Sequence, residues 1–269
     1  MPVDVAARVI ENRRLSAEYN VLALEAPDIA AATAPGQFVM VKPAPGLEPL
    51  LRRPFSVFEV LRDEAGAPRG ISILSKRVGL STSRIFDARP GDVVQCLGPL
   101  GRPFSDPPAG AEVWMIAGGV GLAPFWTVAE RLASRGTPRV LFYGGRKASD
   151  LFYLDYFREV GARLVLATED GSAGETGRVT APLEQALAET PPSRQVVLQA
   201  CGPEPMLAAV ARLAARYGRP CEVSVERVMG CGLGGCYSCV VPINADGGFH
   251  HVRSCIGGPV FDASTIVWD

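Results

Sequence analysis

The chain has little of several things, and each shortage narrows what it can be. It has two histidines in 269 residues, His250 and His251, side by side. Adjacent residues of a strand face opposite ways, so both could not easily reach one iron, and they are expected to be ordinary polar strand residues. Excess charge is also lacking. Lys and Arg number 27 against 28 Asp and Glu, a formal net charge of −1, which points away from nucleic acid and from anionic membrane surfaces as partners. No long hydrophobic run is present: VWMIAGGVGLAPFW (113–126) is too short and too glycine-rich to span a bilayer. The first residues, MPVDVAARVIENRR, hold no apolar signal segment. A soluble, cytoplasmic protein is expected, with no membrane and no nucleic-acid partner. With 48% hydrophobic residues there is enough apolar material for a substantial core.

What is present is patterned in three zones. In residues 1–104 short β-rich runs recur between Gly and Pro turns: RVIENRRLSAEYNVLALEAP, PGQFVMVKPAP with its proline stop, RRPFSVFEV, GISILSKRVG and GDVVQCLGPLG. That spacing predicts a small antiparallel barrel or sandwich. SDPPAGAEV (105–113) reads as a linker. Residues 105–219 alternate apolar strands with amphipathic helices, in EVWMIAGGVGLAPFWTVAERLASRG, RVLFYGGRKASDLFYLDYFREVG, RLVLATEDGS and RQVVLQACGPEPMLAAVARLAARYG. That order predicts a doubly wound parallel sheet. Residues 220–269 are poor in helix signals and carry most of the cysteine.

Seven cysteines, an odd and clustered set, do not make a disulfide framework; metal binding in a reducing compartment suits them better. Cys231, Cys236, Cys239 and Cys255 follow C-x4-C-x2-C-x15-C. Four thiolates can hold a zinc ion or a [2Fe–2S] cluster. Zinc knuckles use paired C-x2-C units and only one is present here. The x4-then-x2 spacing is that of plant-type ferredoxins, so it favours the cluster over zinc or free thiols. Gly232, Gly234 and Gly235 let the loop turn tightly with its N–H groups toward sulfur. Cys96 and Cys221 are expected to be small core residues.

An iron–sulfur centre moves single electrons and calls for a neighbour that pairs them. In LRRPFSVFEV (51–60), Arg53 could clamp a pyrophosphate and Ser56 could offer a hydroxyl to a flavin. KRVGLSTSRIF (76–86) sets a glycine turn and small hydroxyl residues at a possible helix N-terminus, suited to phosphate. AGGVGLAPF (117–125) departs from G-x-G-x-x-G because residue 124 is proline, but Gly118, Gly119 and Gly121 still allow close backbone approach to a diphosphate. In TEDGS (168–172), Glu169 or Asp170 could accept from a ribose 2′-hydroxyl and repel a 2′-phosphate, which favours NAD over NADP. In ACGPEPML (200–207), Cys201 and Gly202 stand at a strand end where a nicotinamide could lie.

Taken in order, R-P-F-S, G-x-S-T, GGVGLAPF and CGPEPML resemble the ferredoxin–NADP reductase superfamily. The stretch ERVMGCGLGGCYSCVVPI…RSCIGGPVFDASTIVW is more closely similar to the electron-transfer subunits of NAD-dependent, B-form dihydroorotate dehydrogenase. The resemblance covers essentially the whole chain. It implies a six-stranded barrel for FAD (1–104), an α/β domain for NAD (105–219) and a [2Fe–2S] domain (220–269). It places Arg53, Pro54, Phe55 and Ser56 at the flavin and its pyrophosphate, Leu74, Ser75 and Lys76 along the flavin, and Ser81 and Thr82 at the diphosphate. Ser81 stands where the family usually has glycine. The cluster falls to the four cysteines, and no residue is assigned as catalytic acid or base. The implied partner is an FMN-containing dihydroorotate dehydrogenase catalytic subunit, in a heterotetramer of two of each, with electrons passing to NAD⁺ for pyrimidine (UMP) synthesis. Related subunits of hydrogenases, sulfur reductases or bifurcating flavoproteins carry similar motifs. A zinc-bearing scaffold subunit is the alternative of another class.

Overall fold

The computed structural model describes residues 1–44 and 46–268; Pro45, the end of the expected proline stop, lies outside the described residues. The chain divides into two compact units.

The first unit comprises Met1–Pro103, Arg227–Val240 and Val252–Pro259. Its strands are β1 (Val3–Arg14), β2 (Tyr19–Glu25), β3 (Phe38–Lys42), β4 (Arg53–Ser56), β5 (Glu59–Arg62), β6 (Pro68–Lys76) and β7 (Val93–Leu100). Helix α1 (Pro27–Ala32) follows β2 and α2 (Leu80–Asp87) follows β6. The strands pair antiparallel in the order β4-β3-β7-β1-β2-β6-β5. The two edges of that sheet are halves of one bent strand, joined only by Val57 and Phe58. Val57 N–H donates to Gln37 beside β3 at 3.0 Å, and Phe58 N–H donates to Ser72 of β6 at 2.8 Å. One run thus satisfies both edges and closes the sheet as a six-stranded barrel. Its interior is aliphatic: Leu22, Leu24, Val39, Val41, Ile71, Ile73 and Cys96 are buried there with Ile29 of α1. Helix α1 was not foreseen; six residues are too few for a periodic signal, and Pro27 at its first turn reads as a turn in isolation.

The second unit comprises Phe104–Glu226, Val241–His251 and Val260–Asp269. Its elements are β8 (Glu112–Gly118), α3 (Phe125–Ser134), β9 (Arg139–Gly145), α4 (Leu154–Glu159), β10 (Arg163–Thr168), β11 (Glu175–Thr176), α5 (Thr180–Glu189), β12 (Val196–Cys201), α6 (Glu204–Arg216) and β13 (Cys221–Ser224). Beyond β13 come β14 (Val240–Ala245), β15 (Gly248–Arg253) and β16 (Val260–Asp262); the short helix α7 (Ser254–Gly257), between β15 and β16, belongs to the first unit. The sheet order is β11-β10-β9-β8-β12-β13-β16. All neighbours run parallel except β16, which pairs antiparallel with β13. β14 and β15 form a separate two-stranded ribbon.

The expected linker is pinned rather than loose. Ser105 N–H donates to Glu222 at 2.9 Å, Gln199 donates to the Ser105 carbonyl at 3.1 Å, and Asp106 pairs with Arg131 and Arg135 of α3. Its last residues, Glu112 and Val113, belong to β8. Residues 220–269 contribute to both units.

Candidate redox and nucleotide sites

On the barrel, β4 lies against β3 with Met40 opposite Pro54 and Phe38 opposite Ser56. Directly opposed residues share a face of the sheet. Phe38 and Met40 pack in a cluster with Leu97, Leu100, Met229, Cys239 and Cys255. The outer face of β3 therefore carries two of the residues expected at the flavin on one side and two of the expected cluster ligands on the other. Phe55 points the opposite way, into the barrel core. Arg53 is exposed, and its guanidinium donates to the carbonyls of Leu51 and Arg52 at 3.1 and 3.0 Å.

At the end of β6, Leu74 and Ser75 are buried, and the Ser75 hydroxyl has no hydrogen-bond partner in the chain. A buried hydroxyl without a partner is costly, and it fits a strand that awaits a polar ligand such as a flavin ring edge. Lys76 is drawn to Tyr19 and Glu18, with Nζ 3.4 Å from the Glu18 carboxylate; the hydrogen bond with Tyr19 is the main reason its pKa is raised. Ser81 is buried in the first turn of α2. Thr82 Oγ1 accepts from the N–H groups of Val78 and Gly79 at 2.8 and 3.0 Å, so its hydroxyl shapes the turn before the helix.

The cysteine loop takes its form from glycine. Gly232 and Gly234 have φ of +74° and +83°. A β-carbon on Gly232 would lie 2.6 Å from Met40 Cγ, so only glycine lets the loop press against the barrel here. The Leu233 N–H is directed at Cys231 Sγ, 3.3 Å away. The thiols influence one another as two pairs, Cys231 acting on Cys236 and Cys239 on Cys255. Cys239 and Cys255 are buried, whereas Cys231 is half-buried and Cys236 exposed. The Ser238 side chain, 3.2 Å from Cys236 Sγ, is the main cause that holds that thiol down to about 6; burial, then Cys239, pushes Cys255 up to about 12. Among the described residues no three or more His, Cys, Asp or Glu converge as a site for a single ion. Two thiol pairs match the donor set of a [2Fe–2S] cluster, two sulfurs per iron. Ser254, beside Cys255, is fully buried with an unpartnered hydroxyl.

Sequence reasoning missed two groups that shape this loop. Arg253 Nη1 donates to the Gly234 carbonyl at 2.8 Å and its guanidinium lies 4.7 Å from the centre of the Tyr237 ring. Ser238 accepts from Gly230 N–H at 2.9 Å. Both flank cysteines, in RSC and YSC, and that adjacency was the available signal. His250 and His251 are exposed on β15.

In the α/β unit, Gly118, Gly119 and Gly121 follow β8, and Cys201 and Gly202 end and follow the adjacent β12, where Cys201 sits opposite Ala117. The order is strand, glycine turn, helix, as the sequence predicts. A 3-10 turn spans Gly119–Leu122 and α3 starts at Phe125, the last residue of AGGVGLAPF. Gly119, with φ of +55°, keeps the turn out of the α-helix that follows. Asp170 lies beyond β10, two strands away, on an exposed turn. Its carboxylate accepts from Ser172 N–H and Oγ at 3.0 and 2.5 Å; the Ser172 hydroxyl is the chief cause of its lowered pKa. The Cys201 thiol is buried and its pKa is raised, by burial first and the Glu226 carboxylate second, which disfavours the thiolate.

Comparison with known proteins agrees with this layout. Residues 115–212 match the oxidoreductase NAD-binding domain, and residues 226–267 match the iron–sulfur cluster binding domain of dihydroorotate dehydrogenase B. The electron transfer subunit of dihydroorotate dehydrogenase B (NAD(+)) from Desulforamulus reducens is 35% identical over 264 residues, 98% of each chain. The chain belongs to this family. The dihydroorotate dehydrogenase B electron transfer subunit of Bacillus caldolyticus is 37% identical over 96% of both chains. A chain of the NADH-dependent reduced ferredoxin-NADP oxidoreductase, solved for insight into flavin-based electron bifurcation, superposes with a TM-score of 0.84. It is 26% identical, with 98% of this chain and 91% of that one covered. Along the chain the match to the iron–sulfur cluster binding domain follows the match to the NAD-binding domain.

Proposed function

We propose that this chain is the electron-transfer subunit that takes electrons from the FMN of a partner dihydroorotate dehydrogenase catalytic subunit and delivers them to NAD⁺ in pyrimidine (UMP) synthesis. The observation that carries the reading is the thiol arrangement: Cys231 with Cys236 and Cys239 with Cys255, beside the strand that pairs with R-P-F-S. When bound, the [2Fe–2S] cluster supplies one-electron steps and FAD supplies the exchange between single electrons and a hydride. The residues here bind and orient. Arg53 and Thr82 meet the FAD diphosphate, with Ser81 in the same turn; Pro54, Phe55, Ser56, Leu74, Ser75 and Lys76 form the flavin's surroundings. Gly118, Gly119, Gly121, Cys201 and Gly202 let the NAD⁺ backbone approach the strand ends, and Asp170 accepts from the adenosine ribose. Oxidation of dihydroorotate belongs to the partner, in a cytoplasmic complex of two subunits of each kind. Among the described residues, no helix is long and apolar enough to cross a membrane.

The test is an anaerobic absorption spectrum with iron and flavin quantified, followed by assays with and without the partner. About two irons per chain, one FAD and NADH–dye reductase activity are expected, with NAD⁺ reduction by dihydroorotate only once the catalytic subunit is added. Dihydroorotate oxidation by the chain alone, or zinc without flavin, would overturn the reading. The fold match to the NADH-dependent reduced ferredoxin-NADP oxidoreductase favours a second reading, a subunit of a bifurcating complex. Reduced ferredoxin replacing dihydroorotate as the productive donor would select it.

A further inference from the structure

The hydroxyl of Ser254 is not used by anything above. Ser254 opens α7, one residue ahead of Cys255. Its N–H donates to the Cys239 carbonyl at 2.9 Å, and its own carbonyl accepts from Gly258 N–H at 3.0 Å. The backbone of Ser254 is thus tied to both cysteines of the buried pair, by a hydrogen bond to Cys239 and a peptide bond to Cys255, and both of its polar groups are satisfied. The side chain is the exception. It is fully buried, and its Oγ has no hydrogen-bond partner among the described residues. A serine inside a helix can return its hydroxyl to the carbonyl one turn back. Ser254 is the first residue of its helix and follows strand β15, so no helical carbonyl lies behind it.

The surroundings define the acceptor that would satisfy this hydroxyl. Cys239 and Cys255 pack with Phe38, Met40, Leu97, Leu100 and Met229, whose side chains offer no oxygen or nitrogen. Thiolate and sulfide sulfur are the strong acceptors that a bound cluster would add there. The other two cysteines already face a donor: the Ser238 side chain lies 3.2 Å from Cys236 Sγ, and the Leu233 N–H points at Cys231 Sγ from 3.3 Å. Hydrogen bonds to the sulfurs and exposure to solvent are what the protein uses to set the potential of such a cluster. Apolar burial disfavours the extra negative charge of the reduced form, and a donor to sulfur favours it, more strongly where water is excluded.

We infer that Ser254 sets the reduction potential of the [2Fe–2S] cluster: its hydroxyl donates to sulfur on the Cys239–Cys255 side and holds the potential above the value that the apolar packing alone would give. The inference rests on the cluster assigned above and deepens it, from which residues hold the irons to what makes them reducible. One electron enters per reduction and adds one negative charge; the hydroxyl keeps its proton in both states.

The test uses the full chain, purified anaerobically with iron and FAD quantified. Ser254→Ala removes the hydroxyl and leaves the backbone bonds in place. A dye-mediated redox titration, followed by the paramagnetic resonance of the reduced cluster, reads the potential. Expected for Ala is a cluster about tenfold harder to reduce, as for loss of one hydrogen bond to a charged acceptor. For a one-electron couple that is a potential about 59 mV more negative, at unchanged iron and FAD content. Melting of iron-free protein is the second readout: with the cluster absent, Ala should be at least as stable as wild type, because the hydroxyl it removes has no partner. An unchanged potential would overturn the inference while leaving the function intact. So would an Ala variant that loads no iron, or one less stable than wild type when iron-free, since either makes the hydroxyl structural. Wild-type chain that holds zinc, or no iron, would overturn both.

Discussion

A β-carbon on Gly121 would lie 2.2 Å from the carbonyl oxygen of Cys201. Two loops far apart in sequence are thus packed backbone on backbone at the strand ends of β8 and β12, and no side chain can come between them. The contact is to backbone, which cannot swing aside, so Gly121→Ala must push the loops apart. The expected outcome is a loss of about 1–3 kcal/mol of stability and a KM for NAD⁺ raised tenfold or more, with flavin and iron content unchanged. Gly136→Ala is the control: its φ is +64° and nothing lies within 4 Å of the added carbon, so it should cost about 1 kcal/mol and leave that KM alone. Denaturant melts and steady-state kinetics decide.

The four cysteines of the loop should be separable from the other three. Cys231→Ser, Cys236→Ser, Cys239→Ser or Cys255→Ser each removes one thiolate of the pairs and is expected to abolish iron binding while FAD remains. Cys96 is fully buried in the barrel interior. Cys96→Ser should keep its full iron and lower stability by about 1–3 kcal/mol, since it buries a hydroxyl among aliphatic side chains. Iron assays and thermal melts on the five variants check this.

Ser75 gives a prediction whose sign depends on the flavin. Its hydroxyl is buried without a partner in the chain, so Ser75→Ala should stabilise flavin-free protein by about 1 kcal/mol. The same change should weaken FAD binding several-fold, by loss of one hydrogen bond. Melting temperatures of the two forms, with and without FAD, should therefore cross.

Glu59 supplies a pH dependence. It accepts from the Ser72 hydroxyl at 2.8 Å, yet burial outweighs that bond and raises its pKa above 4.5. A raised carboxyl pKa means that the folded state holds the proton more tightly than the unfolded one. Stability is then greatest below 4.5 and falls as the pH rises through the folded value. Glu59→Gln should raise the melting temperature at pH 8 and change little near pH 4. Asp106 and Asp170 work in the opposite sense and elsewhere. Their pKa values are lowered from 3.8, by Arg135 first for Asp106 and by Ser172 first for Asp170, so their contribution is lost only as the pH falls below 3.8.

Much of this protein was legible in residue order because its signals are local. Strand and helix periodicity gave the barrel-then-α/β order, since one buried face imposes its repeat on the chain. The cysteine spacing pointed to a cluster because a loop wrapped around two irons needs its sulfurs at set intervals. Gly232 and Gly234 were readable for the same reason: the loop cannot turn without positive φ.

Tertiary structure alone decided the rest, because those features join residues distant in sequence. Closure of the barrel hangs on Val57 and Phe58 bonding to opposite sheet edges. The antiparallel pairing of β16 with β13 draws a strand from beyond the last cysteine into the sheet that begins at β8. The common outer face of β3, with R-P-F-S on one side and Cys239 and Cys255 on the other, follows from strand register and packing. Spacing along a chain fixes which groups a loop can offer to one ion or turn, whereas which loops meet depends on sheet order, set by burial of the whole core.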